Sequence, residues 1–235
     1  MRQPILSTSR LTRQFGGLTA VDNVSIDVDP GTVQCIIGPN GAGKSTLLNM
    51  LCGTLQPSSG QILYDGKSLL GRRLHEIARL GIARKFQVPT VFNSLTVEEN
   101  LILAGTINPQ GSSRDVDEAL AMIELREVAQ LKAEFLAHGQ RQWLEIGMAL
   151  MTKPRLLLLD EPTAGMTSDE TAKTASLIRG LLGQVTVLAI EHDIHFIRAL
   201  NCYTIVMHQG RILASGSFDA IEHNETVRDV YLGRQ

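Results

Sequence analysis

Gly38-Pro39-Asn40-Gly41-Ala42-Gly43-Lys44-Ser45-Thr46 fits the pattern G-x-x-x-x-G-K-[ST] of a phosphate-binding loop. Its flanks agree. Thr32-Val33-Gln34-Cys35-Ile36-Ile37 is apolar and β-branched, as a buried strand is. On the other side Leu47, Leu48 and Leu51 recur at helical spacing. The motif therefore falls between a strand end and a helix N-terminus. The glycines let backbone N–H groups turn inward around an anion, where side chains would intrude. The helix dipole adds positive potential at the same point. Lys44 supplies a point charge for β- and γ-phosphates, and Ser45 a hydroxyl ligand for Mg²⁺. The stretch predicts nucleotide binding on an α/β chain.

The 235 residues suit one large domain, or a core with an inserted subdomain. With 43% hydrophobic residues the chain can bury a sizeable core. A formal charge of −2 provides no net basic field for nucleic acid or a membrane surface. Cys35, Cys52 and Cys202 lie in apolar surroundings without a C-x-x-C, which reads as reduced core thiols rather than a metal site or disulfide. No apolar run approaches the length of a membrane span, and the first residues lack the apolar core of a signal peptide. Work at a membrane would need another subunit to provide the span.

Along the chain, Ile5 to Leu11 and Val24-Ser25-Ile26-Asp27-Val28 read as short strands. Phe15-Gly16-Gly17-Leu18-Thr19-Ala20-Val21 reads as a turn between them carrying one aromatic. Gln61 to Tyr64 is a further strand, and residues 72–80 a short helix. Gly81 to Gln87 is extended and ends in Gln87. Thr96 reads as the N-cap of a helix reaching Ala104, with Glu98 and Glu99 in its first turn. Gly105 to Arg114 is a polar loop, and Val116, Ala119, Leu120 and Ile123 mark a helix face. Another helix runs from about Gly139 to Met151. Beyond it come a strand ending at Asp160, a helix from Asp169 to Leu182, a strand from Val185 to Ile190 and a helix from Ile194 to Leu200. Tyr203 to Met207 and Arg211 to Ala214 read as a hairpin around Gln209-Gly210. The chain between Lys44 and Asp160 is longer than a simple phosphate-loop core needs, so its helical part, 88–152, reads as an insertion.

Leu156-Leu157-Leu158-Leu159-Asp160-Glu161 is the second nucleotide element. A carboxylate at a buried strand's end can hold Mg²⁺, which suits Asp160. Glu161, one residue on, is placed to polarise an attacking water. Leu136-Ala137-His138-Gly139-Gln140 opens a helix, where free backbone donors suit an anion.

Taken in order, an aromatic ahead of the core, a phosphate loop, a Gln, an L-x-x-G-Q helix start, Asp-Glu and a lone His resemble the ATP-binding-cassette (ABC) ATPases over essentially the whole chain. The resemblance implies a phosphate-loop, RecA-like core with an antiparallel β subdomain (1–87 and 153–235) and an inserted helical subdomain (88–152). It implies ATP and Mg²⁺. ATP would be held by Phe15, Val21 and Gly38 to Thr46, that is Gly38, Pro39, Asn40, Gly41, Ala42, Gly43, Lys44, Ser45 and Thr46. Phe15 would stack on adenine, with a core Phe as the alternative. Mg²⁺ would be held by Ser45, Gln87 and Asp160. Lys44, Glu161 and His192 would carry the hydrolysis, His192 as the switch that contacts the γ-phosphate. Ala137, Gly139 and Gln140 would act in trans on the ATP of a second cassette. Two positions depart from the common pattern. L-S-G-G-Q reads Leu136-Ala137-His138-Gly139-Gln140, without the Ser hydroxyl, and the loop past Asp-Glu-Pro reads Ala164-Gly165-Met166-Thr167, without its usual Asp.

These departures resemble the ATPases of branched-chain amino-acid and amide importers. Within that branch Arg84 to Phe92, His138 to Met148, Ala164 to Thr167 and Val230 to Arg234 are most similar to urea-importer ATPases. The expectation is therefore a peripheral ATPase at the cytoplasmic face of the plasma membrane, for urea or a related amide, with branched-chain amino-acid import as the alternative. Its implied partners are membrane permease subunits, a second ATPase subunit and, indirectly, a periplasmic solute-binding protein. A soluble ABC ATPase acting on nucleic acid or ribosomes would bring paired cassettes, long coiled coils or basic surfaces, none of which is present. A binding module with a dead site is opposed by Lys44, Glu161 and His192.

Overall fold

The computed structural model describes residues 3–85, 91–106 and 113–232. The chain opens with β1 (Leu6–Phe15), β2 (Leu18–Val24) and β3 (Asp27–Val28), then β4 (Val33–Ile37) and α1 (Lys44–Leu51). It continues through β5 (Ser59–Tyr64), β6 (Lys67–Ser68), α2 (Leu74–Arg79) and β7 (Ile82–Lys85). Three helices follow, α3 (Val97–Gly105), α4 (Ser113–Met122) and α5 (His138–Met151). The last part holds β8 (Leu156–Asp160), α6 (Ser168–Gly180), β9 (Thr186–Ile190), α7 (Ile194–Leu200), β10 (Tyr203–His208), β11 (Arg211–Ser217) and α8 (Phe218–Glu222).

Two sheets share the work. The larger has the order β11-β10-β4-β9-β8-β7, parallel from β10 to β7 with β11 antiparallel at one edge. The smaller is antiparallel, β2-β1-β5-β6, with β3 also on β1. The parallel strands are buried on both faces, which is why they read as unbroken apolar runs. Their pleat sorts the side chains into two cores. Cys35, Leu157, Leu159, Val187 and Ala189 face the helices α3 to α7, while Ile36, Leu156, Leu158 and Leu188 face α1 and the antiparallel sheet.

The helices between β7 and β8 are fastened to this frame by polar contacts as well as apolar ones. Thr96 and Glu99 form a reciprocal capping box at the start of α3. Trp143 packs in the core and donates its indole N–H to Thr174 Oγ1 of α6 at 2.9 Å. Lys85, at the end of β7, lies 3.3 Å from the Glu145 carboxylate of α5, both side chains being buried.

Three sequence readings need correction. The stretch Phe15 to Val21 is not a turn. β1 runs on to Phe15, only Gly16 and Gly17 turn, and Phe15 pairs with Leu18. A Gly-Gly pair between β-prone runs specifies a two-residue hairpin, and Gly16 takes φ +57. Val24 to Val28 is not one strand either. Ile26 N–H is taken by the Thr8 hydroxyl, and the pairing resumes only at Asp27. At the other end of the helical stretch, Gly105 closes α3 instead of opening the loop. Gln87, and most of that loop, lie outside the described residues.

A buried ion pair loses more when one partner is removed than when both are replaced by apolar groups. Lys85→Met should therefore lower unfolding free energy in urea by about 3–5 kcal/mol, and Lys85→Met with Glu145→Leu should recover most of the loss. Equal stability of the single and double variants would contradict this.

Candidate functional site

The phosphate loop leaves β4 at Gly38 and enters α1 at Lys44. Two of its glycines are required by space as well as by conformation. Gly38 takes φ +151, and a Cβ there would run into the Met207 carbonyl oxygen. Gly43 takes φ +98, and a Cβ there would strike the Ala20 carbonyl oxygen. The β10–β11 turn clamps the loop from one side, with Gly210 N–H donating to Ala42 O at 3.0 Å. Asp22 N–H donates to Gly210 O at 2.8 Å, which ties the same turn to β2.

Lys44 is buried, and its ammonium donates to Gly38 O at 2.7 Å and Pro39 O at 3.1 Å. Burial pushes its pKa down, against the opposing pull of the Glu161, Asp160 and Glu191 carboxylates. The loop opens onto a cleft of about 610 Å³. Asn40 to Thr46 line one side, and Phe15, Leu18, Thr19 and Ala20 another. Glu161, Gln209 and Gly210 complete it. Phe15 is 45% exposed and carries the Arg13 guanidinium 4.5 Å from its ring centroid, so the core alternative for this residue does not hold. Val21 is fully buried behind Gly43 and backs the loop rather than lining the cleft.

Asp160 ends β8 and is buried. One of its oxygens accepts from Arg84 Nη2 at 2.9 Å, and Arg84 also donates to Asn49 Oδ1 at 2.7 Å. Glu161 follows in the left-handed region, φ +46, with its N–H bonded to Ile190 O at 2.9 Å. A non-glycine residue held there costs about 1–3 kcal/mol and persists only where its surroundings dictate it. His192, past β9, brings Nδ1 to 3.6 Å from Glu161 Oε1. The loop, Asp160, Glu161 and His192 thus meet at the carboxyl ends of neighbouring strands.

Ala137, Gly139 and Gln140 do not. Ala137 caps α5, its N–H donating to the Gln140 side-chain oxygen at 3.0 Å, and none of the three lines the cleft of its own chain. His138 Nε2 donates to Ala164 O at 2.9 Å, which joins the start of α5 to the loop past Asp-Glu-Pro. In place of an Asp in that loop, Thr167 caps α6.

Three contributors escaped the sequence reading. Arg84 was signalled only by lying on the strand next to β8. Glu191, fully buried, was hidden beside the more conspicuous His192. Gln209-Gly210 was read as a turn with no bearing on the nucleotide. Among the described residues no cluster of three His, Cys, Asp or Glu offers a metal cage, and no helix is long and apolar enough to cross a membrane.

Comparison with known proteins agrees with this fold. The ABC transporter family model matches residues 21–164. The high-affinity branched-chain amino acid transport ATP-binding protein BraF of Pseudomonas aeruginosa is 40% identical, with 99% of each chain covered. The ADP conformation of MJ1267, an ATP-binding cassette of an ABC transporter, superposes with TM-score 0.87 at 32% identity, covering 99% of this chain and all of that one. MJ0796, a bacterial ABC transporter cassette solved as a dimer, superposes with TM-score 0.79 at 27% identity, covering 91% and 98% of the two chains. The chain belongs to the ABC transporter family, as an ATP-binding and ATP-hydrolysing cassette.

Proposed function

We propose that this cassette powers a solute importer from the cytoplasmic face of the membrane, paired head to tail with a second cassette beneath permease subunits. The observation that carries the hydrolytic reading is Glu161. Its carboxylate lines the same cleft as the phosphate loop, with His192 against it. In this reading the loop amides and Lys44 hold the β- and γ-phosphates, and Phe15 offers its exposed ring to adenine. Glu161 accepts a proton from the attacking water, and His192 holds the γ-phosphate end in place.

The residues present fit a magnesium ion. A hydroxyl at Ser45 and a carboxylate at Asp160 are the usual protein share for Mg²⁺, which takes its other ligands from phosphate and water. Gln87 is assigned to the same ion by its motif and lies outside the described residues. When bound, the ion neutralises charge on the β- and γ-phosphates.

The head-to-tail pairing is supported by where the start of α5 lies. Ala137, Gly139 and Gln140 stand outside their own chain's cleft, at the N-terminus of a helix of fourteen residues, an anion-seeking position. A second copy, or a sister ATPase, would bring that helix end to the ATP. Closing the pair removes the triphosphate from water, and cleavage restores charge repulsion and lets the halves part. The permease would dock against the helical stretch beyond Gln87, where Phe92, Ile102 and Leu103 are 50%, 51% and 40% exposed. A solute-binding protein would act through the permease, and nucleic acid has no part in this reading.

The solute is better supported as a branched-chain amino acid than as urea, since BraF is similar over its whole length. The urea reading rests on short stretches, among them His138-Gly139-Gln140-Arg141-Gln142-Trp143 and Ala164-Gly165-Met166-Thr167. In vesicles holding the permeases and both ATPases, leucine-loaded binding protein should stimulate ATP hydrolysis and urea should not. Stimulation by urea alone would reverse that preference.

Glu161→Gln should retain ATP binding, accumulate an ATP-bound dimer on gel filtration, and lower kcat by about a hundredfold or more, the scale of a lost general base. Turnover at the parental rate would exclude Glu161 as the base.

A further inference from the structure

Glu191 has no task in the scheme above, although its position is unusually well defined. It follows β9 directly, and its N–H donates to Ile36 O at the end of β4 at 3.1 Å. Its side chain is completely buried. Oε1 accepts from the Thr163 amide at 2.9 Å and from the Thr163 hydroxyl at 2.5 Å. Oε2 accepts from the His192 amide at 2.9 Å and the Asp193 amide at 3.3 Å. Each oxygen therefore serves a different loop. Thr163 lies two residues past Glu161, and His192 is the next residue along the chain.

We propose that Glu191 is a positioning residue for hydrolysis, a strut that sets the spacing between the loop bearing Glu161 and the turn bearing His192. The proposal rests on the reading of those two residues as base and switch. A carboxylate is costly to bury and is retained where donors occupy its lone pairs, as they do here. An apolar residue would fill the same space but leave three backbone N–H groups without acceptors. Backbone pairing carries the two strands in register as far as Glu161 N–H on Ile190 O at 2.9 Å, and Thr163 and His192 lie beyond that bond. Glu161 sits in a left-handed conformation that its neighbours must impose, and the His192 side chain is 56% exposed. Thr163 N–H and His192 N–H both donate to this one carboxylate. A shift of either loop would change the 3.6 Å separation of His192 Nδ1 and Glu161 Oε1, and misplacement on the ångström scale costs rate rather than affinity.

The isosteric amide separates positioning from packing. Glu191→Gln keeps the shape but replaces one acceptor by an NH₂ group. Turned toward His192 and Asp193, that group meets two N–H donors that cannot accept. Turned toward Thr163, it meets a hydroxyl that can rotate to accept and an amide that cannot. The amide therefore keeps the His192 half of the strut and weakens the Thr163 half, whose N–H is left facing a second donor. Thr163→Val removes only the hydroxyl contact and tests the same half without touching the buried carboxylate.

The test is steady-state ATP hydrolysis by the full chain in its cassette dimer, with kcat and KM measured separately. Glu191→Gln should lower kcat about tenfold or more, with KM for ATP within about twofold of the parent. Thr163→Val should lower kcat in the same direction by less. Combined with Thr163→Val, Glu191→Gln should slow the enzyme little beyond Glu191→Gln alone, since both act on the same half of the strut and residues acting through one another are not additive. Parental kcat in Glu191→Gln, or losses that multiply in the double variant, would overturn the proposal. So would failure of Glu191→Gln to fold alongside parental kcat in Thr163→Val, which would leave Glu191 a purely structural residue. His192→Ala turning over at the parental rate would instead defeat the underlying switch reading, and that variant alone reports it.

Discussion

The registry of three neighbouring parallel strands governs the rest of the molecule. β4, β9 and β8 lie side by side, with Ile36 opposite Ile190 and Ile190 opposite Asp160. Because they run the same way, their carboxyl ends stop together. β4 hands the chain to the phosphate loop, β8 to Glu161, and β9 to Glu191 and His192. Ligands of open α/β sheets bind outside such ends. A slip of one residue would turn each strand's side chains to the opposite core, so two-sided burial fixes the registry firmly. The site is thus held by backbone pairing and apolar packing far from the nucleotide.

That edge concentrates charge that the interior cannot leave uncompensated. Lys44 is buried near Glu161, Asp160 and Glu191, and burial pushes its pKa down. The carboxylates oppose this, and each has partners of its own. Asp160 has Arg84, Glu161 has His192 nearby, and Glu191 has the donors of two loops. The network keeps a cation beneath the loop amides, where a triphosphate needs it. It also keeps acidic groups near the cleft, where a cation and a water need them. Neither set is comfortable without the other, which accounts for Lys44, Asp160 and Glu191 being buried together at the end of an otherwise apolar sheet.

How much of this was written in the sequence varied with the range of the interaction. β4, the loop and α1 were legible because their signals are local: an apolar run, three spaced glycines, then leucines at helical intervals. β8 and Asp160-Glu161 were legible for the same reason, and α7 matched residue for residue. The β1–β2 hairpin was misread because Gly16-Gly17 was taken into a longer turn, although a Gly-Gly pair is itself a hairpin signal. Arg84 and Glu191 carry no local signal. Each matters through a partner distant in sequence, Asp160 for one and Thr163 for the other, which only the strand order brings within reach. Val21 shows the converse. A residue assigned to the nucleotide by the family resemblance lies in the core, packed behind Gly43.

Half of an active site on each chain is the central physical claim. The cleft is lined by the phosphate loop and Glu161 and not by the Gly139 helix end, and the proposed function has a second cassette supply that end to the ATP. Turnover per cassette, measured at saturating ATP while total cassette concentration is lowered through the dimer dissociation constant, tests this most directly. The account predicts a rate per cassette that falls with dilution in step with the dimer fraction. A rate per cassette that stays constant into fully monomeric solution would contradict it.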